Sequence, residues 1–154
     1  MSPSVGQQAP DLELRDQHGQ TVSLRSFRGS KAVLLVFYPF AFSGVCSGEL
    51  NELRENVAEF VSDDVQLLTV SCDPMFALRA FAEQDNLTFP LLSDFWPHGV
   101  VSSAYGVFDE KRGCSARSTF VIDKDGVIRW SVHNALRDAR DLTEYSRVLV
   151  EITR

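Results

Sequence analysis

The run KAVLLVFYP at residues 31–39 places the strongest constraint on how this 154-residue chain can fold. It is continuously apolar and β-prone, a pattern typical of a strand that is buried on both faces of a sheet. Pro39 predicts the end of the strand, because proline has no N–H group to donate to a neighbouring strand. A strand buried in this way requires other elements that cover each face of the sheet.

The segment that follows Ser43 predicts a helix that covers one of these faces. Apolar residues recur there at spacings of three and four, which places them on one side of a helix. They are Cys46, Leu50, Leu53, Val57 and Phe60. Ser43 is the expected N-cap, so Cys46 is about the third helical residue, in the turn whose N–H groups have no acceptor within the helix.

The alternation of strands and helices continues along the chain. Residues 65–72 repeat the buried-strand pattern, and Asp73 followed by Pro74 predicts the start of a helix that runs to about Gln84. The other expected elements are a hairpin at residues 12–24 around Gly19, a short strand at 89–94, a short helix ending near Gly106, a hairpin at 118–132 that turns at Asp125 and Gly126, and a C-terminal helix. That last helix has the apolar stripe Leu142, Tyr145, Leu149 and Ile152, with Asp141 and Glu144 at its start.

This order of elements predicts a single α/β domain that spans residues 1–154. A central mixed sheet flanked by helices, with an N-terminal β-hairpin, is the expected architecture. The thioredoxin-like arrangement is the simplest one that fits.

The composition excludes several classes of protein. A net charge of −6 without a cluster of Lys or Arg argues against nucleic-acid binding. The longest apolar run, residues 32–42, is shorter than the roughly 20 residues of a membrane-spanning helix, so no membrane insertion is expected. The N-terminal residues lack the basic and apolar regions of a secretory signal, which favours a cytoplasmic location.

The cysteines are the candidate reactive residues. Cys46, Cys72 and Cys114 are odd in number, widely spaced and without a CxxC motif, which argues against a disulfide framework and a structural zinc site. Cys46 differs from the other two, because a helix N-terminus beyond a buried strand favours a negative thiolate and is a frequent place for chemistry. Its position leaves two interpretations open, a reactive thiol and a buried cysteine that packs as a small apolar residue.

A family resemblance favours the reactive thiol. Residues 39–46, PFAFSGVC, match the PxxxTxxC or PxxxSxxC active-site motif of the peroxiredoxins, and Glu49 stands where that family usually has a glutamate. The segments that look like peroxiredoxin sequence are residues 9–29, 33–46, 93–108 and 117–129. They are spread from residue 9 to residue 129, so the resemblance extends over nearly the whole chain. VCSGEL and LLSDFWPHG most resemble the one-cysteine alkyl hydroperoxide reductase E type of this family.

The resemblance implies a role for each residue of the motif. Cys46 would be the peroxidatic nucleophile, Ser43 the hydroxyl that hydrogen-bonds the peroxide, and Pro39 the ring that shields the thiolate from water. Arg117, in CSARSTF, matches the arginine of the family, and Glu49 would orient it. Negative charge spreads from sulfur to the departing oxygen during attack on a peroxide, so hydrogen-bond donors are needed along that line.

The resemblance also implies the reaction, a thiol-dependent reduction of hydrogen peroxide and organic hydroperoxides. Cys46 becomes a sulfenic acid, and an external reductant, which is a small thiol or a glutaredoxin-like or thioredoxin-like protein, restores the thiol. No bound cofactor or metal is implied. Phe40, Phe42 and Phe108 are the expected apolar surround, which would admit alkyl chains, and the expected assembly is a homodimer.

The remaining candidates receive structural interpretations. Cys114 is the one other thiol with a case for resolving chemistry, because it lies in the expected turn before Arg117. A disulfide requires Cα atoms about 4.4–6.8 Å apart, which a sequence does not reveal. Cys72 is expected to pack in the core, and Trp96 to pack or to contact another subunit. Surface positions are expected for the three histidines, His18, His98 and His133.

Two other functions are compatible with the predicted fold. A thioredoxin-type disulfide oxidoreductase normally needs a second cysteine shortly after the first, but residues 47–49 are Ser, Gly and Glu. A non-catalytic thioredoxin-like module, used for binding or redox sensing, would keep the same sheet without turnover. Rapid loss of one thiol per chain on mixing with peroxide separates the peroxidase from such a module.

Overall fold

The computed structural model describes residues 2–133 and 142–153. Its strands are β1 (Glu13–Arg15), β2 (Thr21–Ser23), β3 (Ala32–Phe37), β4 (Val65–Ser71), β5 (Leu91–Ser93), β6 (Phe108–Asp109), β7 (Cys114–Ser115), β8 (Ser118–Ile122) and β9 (Ile128–His133). Its helices are α1 (Gly44–Glu55), α2 (Val57–Phe60), α3 (Met75–Asp85), α4 (Val100–Ala104) and α5 (Leu142–Ile152), with a 3₁₀ turn at Leu24–Phe27.

Seven strands form one mixed sheet in the order β2-β1-β5-β4-β3-β8-β9. Strand β3 runs parallel to β4 and antiparallel to β8, and β4 runs parallel to β5. The hairpins β1–β2 and β8–β9 are antiparallel, while β6 and β7 form a separate ribbon. Gly126 turns the second hairpin at a φ of 82°, a backbone conformation that glycine adopts without strain. The predicted mixed sheet and N-terminal hairpin are therefore confirmed.

Strand β3 is buried along its whole length and separates two halves of the core. Successive residues of a strand point to opposite faces, so alternate side chains of β3 enter different clusters. Leu34 and Val36 pack with the apolar sides of α1 and α5. Val33, Leu35 and Phe37 pack on the opposite face, where α4 contributes to the cluster. The apolar stripes predicted for the helices after β3 and at the C-terminus therefore face the core.

The apolar stripe after β3 is divided between two helices. Asn56 interrupts it with φ −114° and ψ 24°, so α1 ends before Asn56 and α2 begins after it. The Asn56 side chain donates a hydrogen bond to the Glu52 carbonyl at 2.9 Å, which is a local alternative to helical bonding. The stripe stays buried because both helices lie on the same face of the sheet.

Two further local predictions are wrong. Pro74, and not Asp73, precedes the first residue of α3, and no side chain caps that helix. Cys114 lies in strand β7, where it pairs with Asp109, and not in a turn. The acidic residue Asp141, expected at the start of α5, lies outside the described residues.

In the described ranges 2–133 and 142–153, no helix is both long enough and apolar enough to cross a bilayer. The three cysteines are all buried free thiols.

Candidate active site

The candidate site lies where β3 ends and α1 begins. Pro39 follows β3 directly, and α1 starts at Gly44, so Cys46 is the third residue of the helix, as expected. Cys46 is only 1% exposed. The first N–H groups of a helix have no acceptors within it and favour negative charge, and Cys46 lies in this first turn.

Strand pairing brings Arg117 to Cys46 from 71 residues away. Strand β8 runs antiparallel to β3, and the register places Ser118 opposite Phe37. Arg117 immediately precedes β8, so it lies beside the end of β3, from which the chain leads to Cys46. Its Nη2 atom lies 3.6 Å from the Cys46 Sγ atom. The guanidinium is therefore a hydrogen-bond donor and a positive charge next to the sulfur.

Glu49 forms a buried ion pair with Arg117. Glu49 lies about one turn after Cys46 on α1, and its carboxylate contacts the Arg117 guanidinium. Both side chains are almost completely buried, at 4% and 2% exposure. A buried charge is costly unless it is paired, so the carboxylate compensates the guanidinium and also restricts its orientation.

Ser43 occupies the N-cap position of α1 without using its side chain as a cap. Its carbonyl accepts the first helical hydrogen bond from the Ser47 N–H at 2.8 Å. The hydroxyl instead donates to the Phe40 carbonyl at 2.8 Å. Because this bond uses the hydroxyl proton, the lone pairs of Ser43 Oγ remain available as acceptors. The predicted N-cap position of Ser43 is confirmed, although its side chain does not cap the helix.

A pocket of about 200 Å³ opens above the sulfur. It is lined by Pro39, Phe40, Ser43, Gly44, Val45, Cys46 and Arg117. The structure thus brings together four of the predicted site residues, with Glu49 behind Arg117. Of the expected apolar surround, only Phe40 lines this pocket. Phe42 packs on Phe81 at 5.0 Å between ring centroids, and Phe108 packs on His98 at 5.8 Å.

The two other thiols lie in different surroundings. Cys72 Sγ contacts the hydroxyls of Ser115 at 3.6 Å and Ser102 at 3.9 Å. Burial raises the pKa of Cys72, and these hydrogen bonds oppose the effect. Burial also raises the pKa of Cys114 to about 11, and the Asp109 carboxylate adds to this. Both thiols therefore stay protonated at neutral pH, where only the thiolate is an effective nucleophile.

Asp73 is a contact of the site that the sequence analysis missed. Its Oδ2 atom accepts a hydrogen bond from the Ala41 N–H at 2.8 Å, within the loop that joins β3 to α1. The sequence signal is an Asp followed by a Pro at a strand end, but this pair by itself predicts only the start of a helix. Local sequence does not show that the loop after β3 lies beside the end of β4.

No group of three or more His, Cys, Asp or Glu side chains is placed to hold a metal ion in the part of the chain that the structure describes. The histidines predicted at the surface are exposed there. His98 links two loops, with its ring nitrogens 2.9 Å from the Phe95 carbonyl oxygen and 2.7 Å from the Gly113 carbonyl oxygen.

A thioredoxin-like sheet with a buried cysteine at a helix start, an adjacent arginine and a PxxxSxxC loop defines a peroxiredoxin-type site. The family model described as "AhpC/TSA family" matches residues 5–131, which is most of the chain. The chain belongs to the AhpC/TSA family, and the resemblance to the peroxiredoxins is confirmed.

Individual relatives agree with this assignment. The chain is 49% identical over 150 residues to alkyl hydroperoxide reductase E of Mycobacterium tuberculosis, covering 97% of this chain and 98% of that protein. It is 35% identical over 157 residues to the chloroplastic 2-Cys peroxiredoxin BAS1 of Arabidopsis thaliana, covering 96% of this chain and 58% of that protein. The crystal structure of Enterococcus faecalis AhpC superposes with a TM-score of 0.87 at 28% identity, covering 98% of this chain and 92% of that one. These likenesses support thiol-dependent peroxidase function.

Proposed function

We propose that this protein is a one-cysteine peroxiredoxin in which Cys46 reduces hydrogen peroxide and organic hydroperoxides. The observation that carries the proposal is the Arg117 guanidinium 3.6 Å from the Cys46 sulfur, at the floor of an open pocket. The alternative function, a thioredoxin-type disulfide oxidoreductase, is disfavoured because no second cysteine lies near Cys46 in the sequence.

The first half-reaction oxidises the sulfur and reduces the peroxide. The Cys46 thiolate attacks the nearer oxygen of a hydroperoxide ROOH, so that an S–O bond forms while the O–O bond breaks. The departing alkoxide takes up a proton and leaves as the alcohol ROH, or as water when the substrate is hydrogen peroxide. The product on the enzyme is a sulfenic acid, Cys46–SOH.

The surrounding side chains stabilise the negative charge that develops along the line of attack in this step. Arg117 donates toward the sulfur and the attacked oxygen, where negative charge is shared in the transition state. Ser43 Oγ, whose proton is bound to the Phe40 carbonyl, accepts the hydroperoxide O–H and aligns the peroxide for attack. Pro39 supplies an apolar wall that excludes water, and Glu49 fixes the plane of the Arg117 guanidinium.

The second half-reaction returns the sulfenic acid to a thiol. One external thiol condenses with Cys46–SOH, which forms a mixed disulfide and releases water, and a second thiol then displaces Cys46. A small thiol, a glutaredoxin-like protein and a thioredoxin-like protein can each supply these electrons. The external source is supported by the buried state and raised pKa of the Cys72 and Cys114 thiols, which makes both poor nucleophiles toward the sulfenic acid.

The test uses the reduced full-length protein and one equivalent of hydroperoxide. We expect rapid second-order loss of one thiol, a mass gain of one oxygen and trapping of the product by dimedone. Cys46→Ser abolishes all three, whereas the matched control Cys114→Ser retains them. Reaction no faster than that of a free thiol refutes the peroxidase, and a Cys46–Cys114 disulfide in the intact-mass spectrum refutes the one-cysteine cycle.

The apolar part of the pocket supports organic hydroperoxides as substrates. Phe40 is the aromatic residue at the pocket wall and is partly exposed. We expect Phe40→Ser to slow the reaction with cumene hydroperoxide several-fold more than the reaction with hydrogen peroxide, because only the first substrate buries a large apolar group. Equal slowing of both reactions contradicts this assignment.

A homodimer is the proposed assembly. It is supported by a group of large apolar side chains that stay exposed in the single chain, with Trp96 80% and Phe76 70% exposed. Patches of this kind on a globular protein mark contact surfaces. Trp96→Glu is expected to shift the protein toward a monomer in sedimentation analysis, whereas Val150→Glu, at another exposed apolar position, leaves the assembly unchanged. A cytoplasmic location stays a prediction that cell fractionation tests.

A further inference from the structure

The loop that joins β3 to α1 supplies three of the seven residues that line the pocket. Pro39, Phe40 and Ser43 line the pocket. Between them, Phe42 has a φ of 67°, in the left-handed region that a bulky residue seldom adopts. A loop with such a residue keeps its conformation only when surrounding contacts over-determine it.

The carboxylate of Asp73 supplies one of these contacts. Its Oδ2 atom accepts hydrogen bonds from the Ala41 N–H at 2.8 Å and from the Ser71 hydroxyl at 2.7 Å. Asp73 is itself anchored, because its carbonyl accepts the Ser93 hydroxyl at 2.7 Å. Parallel pairing of β3 with β4 explains the proximity, since both strands end at the same edge of the sheet.

The Ala41 N–H belongs to the same peptide group as the Phe40 carbonyl. In a trans peptide the N–H and C=O bonds point in opposite directions and lie in one plane. Among the described residues the only cis peptide is Trp96–Pro97, so this peptide is trans. Fixing the N–H toward Asp73 therefore fixes the carbonyl on the other side, where it accepts the Ser43 hydroxyl at 2.8 Å.

We propose that Asp73 is a positioning residue, which acts through the Phe40–Ala41 peptide to keep the Ser43 hydroxyl donating to Phe40. This inference rests on the proposed peroxidase function. With its proton directed to the Phe40 carbonyl, Ser43 Oγ faces the substrate as an acceptor and receives the hydroperoxide O–H. Without the Asp73 contact the peptide is held only through its carbonyl by Ser43, so the Ser43 hydroxyl loses its fixed acceptor orientation.

The experiment compares two reagents that attack the same sulfur. Hydroperoxides present an O–H to Ser43, whereas methyl methanethiosulfonate reacts with a thiolate and has no hydrogen-bond donor. Asp73→Ala is expected to lower the second-order rate constant for hydrogen peroxide roughly tenfold or more, while the rate constant for methyl methanethiosulfonate changes less than about twofold. Asp73→Asn, which keeps an acceptor oxygen for the Ala41 N–H, should recover most of the peroxide rate.

A double variant with Ser43→Ala distinguishes this positioning role from a nonspecific loss of order in the site. Because Asp73 acts through Ser43, Asp73→Ala should add almost nothing to the loss already caused by Ser43→Ala. The matched control is Ser93→Ala, which removes a hydrogen bond to Asp73 but leaves the carboxylate on Ala41, and its peroxide rate should stay near that of wild type. If Asp73→Ala does not fold, Ser71→Ala gives a smaller loss with the same dependence on Ser43.

Three outcomes overturn the proposal. They are an unchanged peroxide rate in Asp73→Ala, equal slowing with both reagents, and additive losses in the double variant with Ser43→Ala. A wild-type protein whose Cys46 reacts slowly with peroxide would instead refute the proposed function, so the two failures are distinguishable.

Discussion

Removal of the Arg117 charge tests how the site accelerates the reaction with peroxide. Arg117 can act by increasing the ionised fraction of the Cys46 thiol, by stabilising the transition state, or by both effects. At an effective dielectric constant of about 20, unit charges separated by 3.6 Å interact by roughly 4.6 kcal/mol. The opposite charge of Glu49 on the same guanidinium cancels part of this effect on the sulfur. Replacement of both residues by neutral ones therefore removes the donor without leaving an unpaired buried carboxylate near the sulfur.

The double variant Glu49→Gln with Arg117→Met is the informative perturbation. Arg117→Ala alone leaves the buried carboxylate without this cation and should lower the free energy of unfolding by about 3–5 kcal/mol. A neutral pair of similar volume avoids that cost. The double variant still lacks the donor beside the sulfur, and loss of one such donor typically slows the chemical step by roughly 10²- to 10³-fold.

The assay measures two quantities on each variant. Stopped-flow mixing gives the second-order rate constant with hydrogen peroxide, and ultraviolet absorbance of the thiolate against pH gives the ionised fraction. An ordinary thiol is already about 7% ionised near pH 7.4, so full ionisation gains at most about 14-fold. We expect the rate per thiolate to fall roughly 100-fold or more in the double variant. An unchanged rate per thiolate refutes the view that Arg117 stabilises the transition state.

Further predictions concern the stability of the protein, measured by urea unfolding. Because the pKa of Cys114 is raised to about 11, the folded state keeps a proton that the unfolded chain releases near pH 8.5, so the free energy of unfolding falls as pH rises through this window. In Cys114→Ala the free energy of unfolding should fall less steeply with pH, and the difference in slope should correspond to at most about one proton per molecule. A slope equal to that of wild type contradicts the raised pKa of Cys114. Leu50→Ala empties a fully buried position and should cost about 2–5 kcal/mol, whereas Val150→Ala at an exposed position should cost less than about 0.5 kcal/mol. Asn86 ends α3 at a φ of 55°, so Asn86→Gly should be tolerated and Asn86→Ala should cost about 1 kcal/mol; equal stability of the two variants counts against backbone strain.

The periodicity of apolar residues was sufficient to predict the main elements of the fold. A short apolar, β-prone run ended by proline is typical of an interior strand, and stripes with spacings of three and four are typical of helices, so β3, α1 and α5 were predictable from local sequence. The break at Asn56 was not predictable, because the stripe continues through it while the backbone bends. A pattern of apolar residues records which side faces the core and not whether the helix is continuous.

Local sequence was sufficient to place the candidate nucleophile, Cys46, in the fold. A strand end, a proline, a small loop and a helix start place Cys46 in the first turn of α1, and each of these signals is local. The partners of Cys46 are not local. The antiparallel register of β8 on β3 places Arg117 next to the Cys46 sulfur. Arg117 pairs with Glu49 because both side chains are buried at the same place in the folded chain.

The contacts of the neighbouring side chains also depend on tertiary packing. Ser43 has the sequence of a capping residue, yet its hydroxyl donates to Phe40. Asp73 has the sequence of a helix start, yet its carboxylate holds the loop after β3. Phe42 lies within the motif, yet it packs away from the pocket on Phe81. A polar or aromatic side chain can contact any of several partners. Which partner it contacts depends on which strand ends lie next to each other in the sheet.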